Sequence, residues 1–120
     1  MSIQRFETGK RLSEAVVFNG TVYLTGQVAN DNCAPNIYIQ TQQTLASIDR
    51  ILAENKSDKS RILMATIYLT NMDTFADMNR AWEEWVVSGS TPARATVEVS
   101  RLAGKEYGVE ISVTAAQHAT

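Results

Sequence analysis

Apolar and polar positions divide this 120-residue chain into stretches with the period of a strand and stretches with the period of a helix. Ala15-Val16-Val17-Phe18 and Val22-Tyr23-Leu24 flank Asn19-Gly20. Asn-Gly between β-formers signals a hairpin, because a type I′ turn needs positive φ at both central residues. Residues 3–6 read as a short leading strand, and residues 27–35, with Asn30, Asp31, Asn32 and Pro35, as a loop. Tyr38, Thr41, Leu45, Ile48 and Leu52 recur every three or four positions, which predicts a helix from about 36 to 54, ended by the polar run Glu54 to Lys59. Residues 63–70 are β-branched and apolar over the length of a buried strand. Phe75, Met78, Trp82 and Trp85 form a second helical stripe, predicting a helix over 74–87 with Asp73 as its N-cap and Gly89 as its stop. Beyond Pro92, Arg94, Thr96 and Glu98 alternate with Ala95, Val97 and Val99. Residues 101–108 are a loop, and in the last strand, 109–115, Glu110, Ser112 and Thr114 alternate with Val109, Ile111 and Val113.

The predicted order is β-β-β-α-β-α-β-β. A hairpin is antiparallel, while helices crossing between strands imply some parallel pairing. A single α+β domain over 1–120, with a mixed sheet and both helices on one face, satisfies both demands. The other sheet face then has no helical cover and needs water, a ligand or another subunit.

Composition narrows the chemistry. With 44% hydrophobic and 20% charged residues and a net charge of −2, the chain has no basic footprint, and nucleic acid is not an expected partner. Its one cysteine, Cys33, makes no internal disulfide and reads as an incidental thiol. Met1 to Phe6 contain no apolar signal-peptide core, and no run is long enough to span a membrane, so a cytoplasmic protein is expected. The sequons at Asn19 and Asn55 are then chance occurrences. No Gly-rich phosphate loop occurs. The lone histidine, His118, gives neither a convincing triad nor a zinc cluster. Carboxylates, arginine, hydroxyls, backbone groups and water remain. Arg94 and Glu110 are the strand-borne candidates, and two readings fit them. They form a structural ion pair or are two solvated edge charges, the simpler reading from periodicity alone. Otherwise Arg94 grips a carboxylate with its planar fork while Glu110 orients a water. Trp82 and Trp85 line a pocket, or pack in the core or an interface. Asp77, Glu83, Glu84 and Lys105 read as solvated surface charges.

Pro92-Ala93-Arg94-Ala95-Thr96-Val97-Glu98-Val99-Ser100-Arg101-Leu102, followed by Val109-Glu110-Ile111, resembles the C-terminal signature of the RidA/YjgF family, the reactive intermediate deaminases. Leu24-Thr25-Gly26-Gln27 and Asn71 to Asn79 resemble two further family segments, in order along nearly the whole chain. The resemblance implies a chorismate-mutase-like α+β fold. It also implies a homotrimer whose helix-free sheet faces turn inward, with ligand sites between subunits. The implied activity is hydrolysis of enamine/imine acids, such as 2-aminoacrylate/2-iminopropionate and 2-iminobutyrate, to 2-keto acids and ammonia, with no metal or organic cofactor. The family is also associated with endoribonuclease or translation-inhibitor activity, and a carboxylate-sensing module without turnover is a further alternative. On this resemblance Arg94 matches the carboxylate-binding arginine and Glu110 the site glutamate. Thr25 stands for a site serine and Gly26 for the adjacent glycine. Thr96 replaces a cysteine common in the family, and Trp85 stands near a pocket aromatic. Leu12 or Ser13 falls where the better-characterised subgroup has a pocket tyrosine. The 28–36 loop is shorter than in that subgroup, and Gly104-Lys105-Glu106-Tyr107 lengthens the last loop. A sister subgroup is the expected placement.

Overall fold

The computed structural model describes residues 2–119, and its elements follow the predicted order. They are β1 (Gln4–Thr8), β2 (Ser13–Phe18), β3 (Thr21–Leu24), α1 (Ile37–Glu54), β4 (Ile62–Leu69), α2 (Phe75–Trp85), β5 (Ala93–Glu98) and β6 (Val109–Ala116). The β2–β3 turn is the one that Asn-Gly demands, with φ of 54° at Asn19 and 78° at Gly20. One six-stranded sheet runs β1-β2-β3-β6-β4-β5. β4 and β5 pair in parallel across the α2 crossover, and the other neighbours are antiparallel.

Strand alternation sorts the sheet into two faces. Ala15, Val17, Val22, Leu24, Ala65, Ile67, Leu69, Val109, Ile111 and Val113 are buried, and together with Leu45, Ile48, Ile51 and Leu52 of α1 and Met78 and Trp82 of α2 they make the core. Both helices therefore cover one face, as expected. The opposite face carries Phe18, Tyr23, Met64 and Val97, which are 39–47% exposed, among the polar Thr66, Ser112 and Thr114. No helix covers this face, so these apolar side chains stand exposed among polar ones.

Three local expectations change. Asp73 does not cap α2. It lies inside a 3-10 turn, Met72–Thr74, whose own cap is Asn71 accepting from the Asp73 N–H (2.9 Å). Thr74 precedes α2 without a side-chain cap bond. Helix α2 stops at Trp85, short of Gly89, because Val86 turns to extended backbone (φ −64°, ψ 154°). Val86 and Val87 are β-branched and lose rotamer freedom in a helix. Tyr38 leaves the predicted core stripe of α1. Its ring stacks on the Arg80 guanidinium of α2 at 3.6 Å. Gln40 is fully buried instead. Its amide donates to Ala34 O (2.8 Å) and Glu106 O (2.9 Å) and accepts from Gly108 N (2.9 Å), tying α1 to the loops on both sides of it.

Candidate functional site

Pro92 bars a helix, and β5 starts immediately after it as an edge strand. Arg94 pairs in register with Ala65, a core residue of β4, so its side chain leaves on the helix-covered face. There the guanidinium lies 5.4 Å from the Trp82 ring and 5.8 Å from Phe75, both on α2. Nη1 donates to Asn79 Oδ1 (2.8 Å). Among the described residues no carboxylate forms a salt bridge with it. Burial pushes its pKa below the ordinary arginine value, partly offset by the negative charge of Glu83. Two positions on, Thr96 Oγ1 is buried with no hydrogen-bond partner among the described residues. The half-buried arginine thus keeps donors, beside an unpaired hydroxyl, that suit an anion's oxygens.

Glu110 lies elsewhere. It pairs with Tyr68 on β4, three residues beyond Ala65, and an odd offset along a strand reverses the face. Glu110 therefore points to the helix-free side. Its carboxyl lies over Gly26, where a Cβ would come within 2.9 Å of Glu110 Cδ and closer still to Oε2. Glycine is required there because the carboxylate occupies the space a side chain would fill. A cleft of about 430 Å³ opens beside this contact, lined by Leu12, Thr25, Gly26, Ala103, Tyr107 and Glu110 among others. The Thr25 backbone N–H is bonded to Glu14 O (3.0 Å).

The structure brings together Glu110, Gly26, Thr25 and Leu12 on one side, and Arg94 and Thr96 on the other, but does not join the two groups within one chain. The structural ion pair between Arg94 and Glu110 is thereby removed. Trp85 belongs to neither group. Its indole donates to Asp49 Oδ2 (2.9 Å), beneath the Lys59 ammonium (5.5 Å), in the seam between the helices. Of the two tryptophans of the helical stripe, Trp82 is the one that lies against Arg94. Asn79 is the polar residue that sequence reasoning missed, although its spacing from Phe75 and Trp82 puts it on the same helical face. Cys33 contacts the carbonyl of Glu106, a residue that also lines the cleft beside Glu110, and His118 pairs with Asp58 (2.6 Å).

This architecture is that of a known class. The crystal structure of NMB1025 from Neisseria meningitidis, described as a member of the YjgF protein family, matches with a TM-score of 0.94 at 47% identity, covering 100% of this chain and 98% of that one. Residues 2–117 match the family described as Endoribonuclease L-PSP. The RutC family protein of Haemophilus ducreyi is 49% identical over 114 residues, 95% of this chain and 96% of that protein. The RutC family protein YoaB of Escherichia coli K12 is 43% identical over 116 residues, 97% and 99% of the two chains. The chain belongs to the RidA/YjgF/RutC family, and no helix among its described residues is long and apolar enough to cross a membrane.

Proposed function

We propose that the protein hydrolyses reactive enamine or imine acids to 2-keto acids and ammonia at sites shared between neighbouring chains of a homotrimer. The observation that carries this reading is the separation of Arg94 and Glu110 onto opposite sheet faces. A heterologous contact in a closed ring sets one face of a chain against a different face of the next, and so can join the two. Arg94 of one chain holds the substrate carboxylate through paired N–H donors, with Thr96 beside it. Glu110 of the neighbour orients a water. The water adds to the protonated imine carbon, and the carbinolamine expels ammonia to leave the ketone. One water is consumed and no electrons are transferred. The substrate is already reactive, so holding it and the water in line supplies much of the acceleration.

Complementation tests the shared site. Arg94→Ala and Glu110→Ala chains are each inactive alone. Mixed after dissociation and reassembly, about a quarter of the interfaces receive an intact Arg94 from one chain and an intact Glu110 from the next, so activity returns to that level. Imine supplied by a dehydratase, with ammonia release as the readout, measures it. No recovery in a mixture that sediments as a mixed trimer sinks the shared site. Sedimentation should give three times the 13.2 kDa chain. Binding of keto acids without ammonia release points instead to a sensor.

A further inference from the structure

The cleft beside Glu110 has a neighbour. A second recess of about 220 Å³ is lined by Ile37, Gln40, Thr70, Lys105 and others, and Glu106 and Tyr107 line both spaces. Tyr107, with Glu106, therefore stands at the boundary between them. Its ring is held in place from two sides. It is seated on Gly104, where a Cβ would come to 2.8 Å from two ring carbons. Its hydroxyl reaches Asp31 Oδ1 (3.3 Å), in the loop that follows β3. Behind it, the buried Gln40 amide fixes the carbonyl of Glu106 and the N–H of Gly108, the residues flanking Tyr107. A loop side chain anchored by its neighbours on both sides is a wall, and a wall's position sets what the cleft admits.

We infer that Tyr107 determines specificity by closing the floor of the cup that receives the substrate side chain. The cup has apolar walls from Leu12, Val28 and Ala103, and its charges are the carboxylates of Glu106 and Glu110. It therefore takes small, uncharged side chains, and the ring excludes larger ones from the recess behind. The contact with Asp31 is long and exposed. The ring, rather than the hydroxyl, does the excluding. The inference rests on the proposed function only in taking 2-oxo and 2-imino acids as the ligands.

The test compares wild type, Tyr107→Ala, Tyr107→Leu and Tyr107→Phe. Calorimetry reads binding of pyruvate, 4-methyl-2-oxopentanoate and phenylpyruvate, and ammonia release reads turnover of the matching imines. Opening the partition should shift the ratio of phenylpyruvate to pyruvate affinity by about tenfold towards phenylpyruvate in Tyr107→Ala, with Tyr107→Leu intermediate. Tyr107→Phe should keep the wild-type ratio. An unchanged ratio in Tyr107→Ala, or equal weakening for all three acids, overturns the inference, as does a wild type that binds none of them. A ratio that shifts as stated while no imine is hydrolysed upholds the cup and removes only the deaminase reading.

Discussion

Arg94 leaves an edge strand and lies against the rings of Phe75 and Trp82, whereas Glu110 leaves an interior strand and lies over Gly26 beside an open cleft. The first group is positioned by a helix. The second is positioned by a loop approaching a strand, with a glycine making room. The arginine is half-buried and short of a carboxylate among the described residues, and the glutamate is half-buried and short of a cation. These opposite charges, kept on opposite faces, form no salt bridge with each other among the described residues. On the proposed function, an incoming anion meets the one and a neighbouring subunit lies across the other. The difference also separates tasks. The helix side can bind charge, and the cleft side can measure shape.

The largest expected effect falls on the arginine. If Arg94 grips the substrate as proposed, Arg94→Ala removes two charge-assisted hydrogen bonds and should lower kcat/KM by about 100-fold or more, with the oligomer intact. Arg94→Lys keeps the charge but loses the fork, and should still fall by about tenfold. Turnover, melting temperature and sedimentation measured on the same two variants separate the readings. A loss of melting temperature that lysine rescues, with turnover unchanged, would make Arg94 a structural residue and end the comparison.

Gly26→Ala tests the cleft side by geometry alone. The added methyl collides with the Glu110 carboxyl, which must swing away. Displacing a water-orienting group by about 1 Å can cost roughly 100-fold in kcat, while the affinity for a keto acid held by Arg94 changes little. Turnover and binding together give the answer. Equal losses in both would mean that Glu110 anchors ligand rather than water.

The order of elements was legible in the chain because each stripe kept its period, and Asn19-Gly20 fixed the hairpin through backbone conformation alone. The exact α2 start was not. Asn71 and Asp73 both suit a cap, and the choice depends on a 3-10 turn that no periodicity encodes. The half-buried site residues were legible through the resemblance, since Arg94 and Glu110 each look like ordinary alternating strand charges. Their separation onto two faces was hidden. It follows from the parallel β4–β5 register and the antiparallel β4–β6 register together, and neither is readable from one strand. Gln40 and Asn79 were missed for a similar reason. A polar residue on a helix reads as solvated until the loops it ties down are in view.

Trp85 separates fold from chemistry more gently. Trp85→Phe keeps a ring near Trp82, where the two indoles lie tilted at 5.5 Å, but loses the bond to Asp49. A part-buried bond to a carboxylate contributes about 1 kcal/mol, or roughly 4 °C in Tm for a chain of this size. Thermal unfolding should show that loss while turnover stays within about twofold of wild type. A larger fall in turnover would return Trp85 to the site.

The smallest effect concerns Glu83, the exposed carboxylate whose charge acts on Arg94. Glu83 favours the charged guanidinium, but it also repels any anion approaching that guanidinium. Arginine remains protonated at neutral pH with or without this help, so only the repulsion matters to binding. An exposed charge acting through water contributes about 0.5 kcal/mol or less, which corresponds to roughly twofold in affinity. Glu83→Gln should therefore lower KM by up to about twofold with kcat unchanged, and the difference should fade as salt rises to about 1 M. The sign is what discriminates. A KM that rises in Glu83→Gln would mean that Glu83 holds the arginine in place instead of competing with its ligand, and the Arg94 side would then be an assembled ion-pair network rather than an anion site awaiting its partner.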